Sequence, residues 1–315
     1  MKKRKLDLNK MRQEFTLNVD STAEYTPNAD EFYSRAFLAN NIEDFRVKVG
    51  VKDSEKIGRL SFGNDSILRE FQCGWDALNM SLDAKTIDVV KITVPHQVCQ
   101  SELEESFAVL EMTKGQEGWK TANMFWAHYM DILAKRISED LALATWVGQS
   151  GGTLATLTGF ESLIAASTDT VEVTFTGTAY TVANVEDAFE DLLTALPNTI
   201  ARAKNDLRFY VSPATMNAIM ISMSKNNTQF YATKELDPMY AGIKISEQAG
   251  MSGDMIVLTR KENLVIGVDA ELDEKNIKVR DLDVINEPVI RTRVDFNYGN
   301  LLLNDEEIYY TVVAV

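Results

Sequence analysis

"RISEDLALATWVGQSGGTLATLTGFESLIA", residues 136–165, decides how the chain is read. Together with the residues before it, Ala122, Trp126, Tyr129, Leu133, Ile137, Leu141 and Ala144 recur at spacings of three and four, which puts them on one helix face. The predicted helix runs from about residue 119 to 147, roughly 40 Å at 1.5 Å per residue. Gly148 stands where a helix commonly ends in a left-handed glycine. The next letters, Gly148-x-Ser150-x-Gly152, spell the nucleophile elbow of a serine hydrolase. That elbow needs a strand before its serine and a helix after it, the reverse of the order here. Such an enzyme also takes its base from downstream, and the only histidines, His96 and His128, lie upstream. Ser150 is therefore read as part of a turn, and a serine hydrolase acting through Ser150 stays a distant alternative.

Outward from this stretch, short strands and helices alternate without a regular βαβ cycle, which argues for an α+β chain. Phe45, Val47, Val49 and Val51 alternate with charged residues and read as a strand. "KDSEK" is its expected turn and "IGRLSF" the returning strand, making residues 45–62 a charged hairpin. "KTIDVVKITVP" carries a further strand, with Val90, Ile92 and Val94 on one side and Pro95 limiting its extension. "SELEESFAVLEM" reads as helix. Beyond the glycines, "VEVTFTGTAYTV" alternates around Gly177 and is expected to be a hairpin. "NVEDAFEDLLTALP" is an amphipathic helix with Phe189, Leu192, Leu193 and Leu196 inward. "RFYV" is a buried strand, followed by a helix that Ser212 caps and Pro213 begins. "MIVL", "LVIGV", "VIRTRVDF" and "EIYYTVVAV" complete the strands.

The composition excludes several function classes. Asp and Glu number 47 against 32 Lys and Arg, a net charge of −15, which repels nucleic-acid phosphates over most of the surface. The basic tip Lys2, Lys3, Arg4, Lys5 is the local exception and is read as a solvated terminus. Its charges continue where a leader's apolar core would stand, so no export signal is expected. The longest apolar runs fall short of the ~18 residues a membrane helix needs. Cys73 and Cys99 make neither a disulfide framework nor a metal pattern, which fits a reducing cytoplasm.

Chemical motifs are absent or broken. "TKGQEGWKT", residues 113–121, lacks the phosphate-loop spacing, and no G-x-G-x-x-G occurs. Asp269, Glu271, Asp273 and Glu274 lack the ordered pattern of a calcium loop and are read as a solvated charged loop. His96 and His128 are read as structural or surface residues. We expect no catalytic residue, no cofactor and no metal, hence a protein whose surfaces are its function.

The order of elements supplies a resemblance. "VVKITVP", the long helix "FWAHYMDILAKRISEDLALATWVG", the glycine turn and "TLTGFESLIAAS" with Thr158-Gly159-Phe160 resemble the major capsid proteins of tailed phages, the Hong Kong 97 (HK-97-like) fold. "RFYVSPATMNAIMISM" is similar to that family's strand–Ser-Pro–helix unit. "VLTRKENLVIGVDAELDEKNIKVRDLDV" is similar to its strand pair leading out of the axial domain, and "VIRTRVDFNYGNLLLNDEEIYYTVVAV" to its closing strands. The resemblance implies an N-terminal arm over residues 1–44 and an extended loop (E-loop) over 45–95. It implies a peripheral domain over 96–147 and 278–300 around the long spine helix, and an axial domain over 148–277 and 301–315.

The resemblance also implies function and partners. Subunits would assemble with themselves, as hexamers and pentamers, into an icosahedral virion capsid formed in the host bacterial cytoplasm. Scaffold and portal proteins, packaged double-stranded DNA held without sequence specificity and a decoration protein are the further partners, and no membrane. No long internal scaffolding segment precedes the resemblance, so a separate scaffold, or none, is expected. Some members cross-link an E-loop lysine to a neighbour's asparagine. Lys48, Lys52, Lys56 and Asn297 lie in suitable regions, but no motif aligns them and that chemistry is not carried over. An encapsulin-type nanocompartment shell is the alternative, against which the long N-terminal arm leans.

Overall fold

The computed structural model describes residues 24–25, 44–62, 80–99, 123–148, 157–202, 204–226, 238–269, 277–281 and 289–313. In chain order the strands and helices are β1 (Glu24–Tyr25), β2 (Arg46–Val49), β3 (Ser54–Phe62), β4 (Met80–Asp88), β5 (Val90–Cys99), α1 (Asn123–Trp146), α2 (Phe160–Ala166), β6 (Val171–Glu172), α3 (Val185–Ala195) and α4 (Asn198–Ala201). They continue with β7 (Leu207–Val211), α5 (Pro213–Asn226), β8 (Met239–Tyr240), β9 (Ile243–Glu247), β10 (Met255–Arg260), β11 (Leu264–Val268), β12 (Ile277–Asp281), β13 (Val289–Leu302) and β14 (Tyr309–Val312). The mixture is α+β, as expected. Two compact units divide it.

The first unit draws on residues 91–138 and 271–296, with β1 added. In it β12 runs antiparallel to both β1 and the first half of β13, and β5 also pairs with β13. The alternation of "VIRTRVDF" is realised: Ile290, Thr292, Val294 and Phe296 are buried, while Arg291 and Arg293 are exposed. The first part of α1 contributes Tyr129, Met130, Leu133, Ala134 and Ile137 to the buried side. Tyr129 joins helix to strands, its hydroxyl 2.9 Å from Thr292 Oγ1 and 2.9 Å from His96 Nδ1. Burial raises the Tyr129 pKa, against the opposing hydrogen bond to Thr292, so the hydroxyl stays protonated.

The second unit draws on residues 38–90, 139–270 and 297–315. Its largest sheet has the order β6-β14-β10-β7-β9-β8. The apolar stripe of α3 (Val185, Ala188, Phe189, Leu192) and Ile219 of α5 pack with Phe209 and Val211 of β7 and Ile256 and Leu258 of β10. Such stripes appear because positions three and four apart share a helix face, whereas alternate positions share a strand face. Ser212 caps α5 as expected, accepting from the Thr215 N–H at 3.3 Å, with Pro213 first in the helix. β11 is buried at every position and pairs with the second half of β13 on one side and β2 on the other.

Three local expectations need correction. Residues 45–62 do not form a hairpin: β2 runs parallel to β11, with Val47 opposite Ile266, and β3 pairs instead with β4, Ser54 opposite Asp88 through Phe62 opposite Met80. Alternation fixes a strand's two faces but not its partner. "VEVTFTGTAYTV" is not a hairpin either. Only Val171 and Glu172 are strand, bonded parallel to β14, after which the Phe175 ring turns inward onto Tyr180 at 5.0 Å. Pro95 does not end its strand but lies within β5, and among the described residues β5 pairs only with β13. A strand bonded on one side can carry a proline whose missing N–H faces away from the ladder.

Candidate functional site

The end of α1 organises the second unit. Trp146 is the last helical residue and only 1% exposed. Its ring centroid lies 5.9 Å from Phe45, 5.6 Å from Phe160 and 5.6 Å from Tyr210. Phe45 stacks on Phe160 at 5.7 Å with their planes 10° apart. Offset and tilted ring pairs at such distances attract beyond the area they bury. The four rings come from the segment entering β2, the end of α1, the start of α2 and β7, so one cluster ties four pieces of chain. Its polar rim is satisfied: Trp146 Nε1 donates to Gln248 Oε1 at 3.2 Å, and the Tyr210 hydroxyl donates to the Asp44 carbonyl at 2.6 Å. Gln248 and Ser246 continue this rim, Ser246 donating to the Asp44 carboxylate. Burial pushes the Tyr210 pKa far up, with the Asp44 charge adding to it, so Tyr210 remains a donor at any physiological pH.

The glycines beside this cluster explain the turn. Gly148 has φ +73°, the left-handed region expected past a helix end, and its N–H and that of Val147 both donate to the Leu143 carbonyl. The returning chain passes directly over it. A Cβ on Gly148 would meet the Gly159 nitrogen at 2.8 Å, and a Cβ on Gly159 would fall on the Trp146 carbonyl. Thr158-Gly159-Phe160 thus has a physical reason: glycine allows backbone to touch backbone, and Phe160 then reaches the ring cluster. Asn300 of β13 locks the crossing, its Nδ2 donating to the Thr145 carbonyl at 3.3 Å and the Thr158 carbonyl at 3.0 Å.

β3 and β4 form a two-stranded sheet that no other strand joins among the described residues. Its root is fixed. Ile57 and Ile87 are buried with Val51, Val265 and Leu303, Lys85 Nζ contacts Asp305 Oδ1 at 2.8 Å, and the same ammonium donates to the Leu302 carbonyl at 3.2 Å. Outward of this root, Gly58, Asp83 and Ala84 are exposed. A two-stranded ribbon is marginal in water by itself, and this one draws support from its anchored root.

The residues singled out from sequence do not converge. Ser150, Gly152, Cys73, the 113–121 loop, Glu271, Asp273 and Glu274 lie outside the described residues, as do the basic tip and the side chain of His128. His96 is exposed and faces Tyr129, and Cys99 is an exposed free thiol. Asn297 Nδ2 donates to the Lys52 carbonyl at 3.1 Å and to Asp269 Oδ2 at 3.2 Å, while Lys48 pairs with Glu55 at 2.9 Å. Among the described residues no group of three or more His, Cys, Asp or Glu could hold a metal ion, and no helix is long and apolar enough to cross a membrane. Asp44, Gln248, Lys85 and Asp305 carry much of the arrangement and had no sequence signal, because each acts through a partner distant in the chain.

Architecture and comparison define the class: the chain has the Hong Kong 97 capsid fold. It is similar to the satellite phage P4 procapsid with its size determination (Sid) protein (TM-score 0.55, 10% identity, 90% of this chain and 96% of that chain covered). It is likewise similar to the capsid of a native GTA particle (0.54, 16%, 88% and 90%) and to Gordonia phage Cozz (0.54, 14%, 88% and 87%). No protein-family model and no curated protein matches the chain.

Proposed function

We propose that this chain is the major capsid protein of a tailed double-stranded DNA bacteriophage, assembling with copies of itself as hexamers and pentamers into an icosahedral head. The observation that carries the proposal is the fold, shared with capsid subunits over most of both chains. The anchored β3–β4 ribbon, which no other strand joins among the described residues, supports it, since a ribbon fixed at one end is suited to lie on another subunit. In this reading the first unit with the start of the spine helix belongs to the peripheral domain, the β6-β14-β10-β7-β9-β8 sheet to the axial domain and β3–β4 to the E-loop. The glycine crossing at Gly148 and Gly159 is where the chain passes from peripheral to axial domain.

Closed shells favour many modest, repeated contacts, because each subunit meets several neighbours and the contacts act together. The acidic balance is compatible with a head whose wall does not attract DNA strongly. Scaffold and portal proteins are the further partners this reading implies, with assembly in the host bacterial cytoplasm. The chain is read as a non-enzyme. The test is sedimentation of the purified protein followed by nuclease treatment. Large uniform particles retaining nuclease-protected double-stranded DNA when made in phage-infected cells are expected. Particles that hold only protein would turn the reading to a nanocompartment shell, and a fluorophosphonate probe that labels Ser150 would revive the hydrolase.

A further inference from the structure

The inner face of the β3–β4 ribbon changes character along its length. Alternate positions share a strand face, and on the inner one Ile57 and Ile87 are buried, while Lys56, Gly58, Ala84 and Thr86 on the other are exposed. The register sets Glu55 opposite Ile87, Ile57 opposite Lys85 and Arg59 opposite Asp83. The inner face therefore runs from Ile87 and Ile57 at the root to Lys85 and Arg59 farther out. At the root, Asp88 and Val89 cross the β11–β13 pair where two glycines, Gly267 and Gly299, stand opposite each other. A Cβ on Gly299 would fall on the Asp88 carbonyl oxygen, and one on Gly267 would meet Ile87 Cδ1 at 2.8 Å and Val89 Cγ1 at 3.1 Å. Glycine within a strand weakens it, so a facing pair in a buried sheet is explained by the chain that passes closely over it. The Gly50 and Val51 N–H groups donate to the Val268 carbonyl at 2.9 and 3.3 Å, and the Val89 N–H donates to the Asp53 carbonyl at 2.9 Å, which makes this saddle a fixed point.

Farther out the contacts are ionic and converge on one piece of chain. Asp305–Glu307 forms a single helical turn just before β14. Asp305 Oδ1 lies 2.8 Å from Lys85 Nζ, and Asp305 Oδ2 accepts from Ser167 Oγ at 2.9 Å. Glu306 faces Arg59 at 3.8 Å. Glu307 turns the other way, to Arg260 Nε at 3.3 Å and Asn263 Nδ2 at 3.4 Å, while its carbonyl accepts from Thr259 Oγ1 at 3.1 Å. Glu307 and Ser167 thus fix the turn to the body of the unit, and Asp305 and Glu306 present charge to the ribbon.

We propose that the Asp305–Glu307 turn is an electrostatic latch: when Lys85 leaves Asp305, β3–β4 opens as one piece about the Gly267–Gly299 saddle while the β6-β14-β10-β7-β9-β8 sheet stays folded. The two attachments differ in kind. Apolar and backbone contacts at the saddle resist salt, whereas ion pairs between partly exposed groups are modest and screened. Lys85 and Asp305 keep 31% and 16% of their side-chain surface, against 72% for Glu306, so Lys85–Asp305 carries the latch and Arg59–Glu306 adds little. Segments with few apolar contacts open at lower free energy than a core sheet, and the charged rungs are such a segment. The latch stands on contacts within one subunit. Its use, setting how the ribbon reaches a neighbour under given ionic conditions, rests on the self-assembly reading above.

Hydrogen exchange read by mass spectrometry tests the latch on the full-length protein, with wild type and variants compared in the same state of assembly. Lys85→Met and the near-isosteric Asp305→Asn should each speed exchange of β3 and β4 about fivefold, with β7 and β10 exchanging at the wild-type rate. The double variant should be no faster than Lys85→Met alone, because the same contact is lost only once. Raising salt from about 50 to about 500 mM should speed the wild-type ribbon relative to β7 and β10 and change the Lys85→Met ribbon far less. Gly299→Ala, which strikes the saddle itself, should instead speed β11 and β13 together with the ribbon. A ribbon whose exchange ignores Lys85→Met or salt would overturn the latch, since the ion pair would then hold nothing. Variants that speed β7 and β10 as much as β3 and β4 would overturn it too, since the ribbon would then open only by unfolding of its unit. A protein forming no shell refutes the capsid reading, while these exchange rates still decide the latch.

Discussion

Trp146→Ala should destabilise the subunit by about 4 kcal/mol. Trp146 is 1% exposed, and truncating a buried aromatic side chain costs roughly 3–5 kcal/mol from lost transfer energy and the cavity left behind. The hydrogen bond is the smaller part. Trp146→Phe keeps an aromatic ring near Phe45, Phe160 and Tyr210 but leaves the buried Gln248 Oε1 without its 3.2 Å donor, which costs about 1–2 kcal/mol. The ranking tests whether packing, rather than the indole N–H, holds the helix end. A double-mutant cycle with Phe45→Ala should give a coupling of about 1 kcal/mol, the size expected of one aromatic pair at 5.9 Å. Urea unfolding of the unassembled subunit, followed by far-UV circular dichroism because the mutated residue is itself a fluorophore, supplies all three numbers. A Trp146→Ala cost below about 1.5 kcal/mol, or a Trp146→Phe cost equal to it, would refute the idea that four segments meet in one packed cluster.

Other perturbations address the turn, the ribbon and pH. Gly159→Ala should lower the thermal midpoint more than any alanine at an exposed position in α2, because its Cβ collides with the Trp146 carbonyl and neither backbone can yield; calorimetry checks this. Lys85→Ala removes both the ion pair to Asp305 and the bond to the Leu302 carbonyl, at about 1 kcal/mol, and should speed amide exchange in β3 and β4 while leaving β7 and β10 unchanged. The Glu161 pKa is raised by burial, with hydrogen bonds from Ser252 opposing and the Asp254 charge adding. A raised folded pKa means its contribution is complete below the unfolded value and is lost as pH rises through the folded one. Glu161→Gln, which keeps an acceptor for the Ser252 N–H, should therefore raise the thermal midpoint at pH 7 relative to wild type, the gap closing as pH falls below about 4.

Much of this fold could be read locally. Helix α1 announced itself through Tyr129, Leu133, Ile137, Leu141 and Ala144, all of which are buried, and Gly148 through its place after them. Ser212-Pro213 marked the start of α5 because a cap acts within four residues. What failed was pairing. β2 looked like half of a hairpin because its alternation is complete, yet its partner is β11, a strand far along the chain whose register no local pattern encodes. "VEVTFTGTAYTV" looked like strands until the Phe175 ring took the space beside Gly177. The ring cluster needed Phe45, Trp146, Phe160 and Tyr210 to be recognised as neighbours, and the ribbon needed β4 to be recognised as the partner of β3. Both are products of tertiary structure, invisible to periodicity.

The central claim is that copies of this chain close into a shell, and electron microscopy of the purified full-length protein tests it most directly. The expected image is a closed icosahedral particle built of hexamers and pentamers, in which reconstruction places β3–β4 of each subunit against a neighbour. A protein that stays a monomer under every salt and concentration condition tried, with no shells, tubes or hexamer sheets, would contradict it.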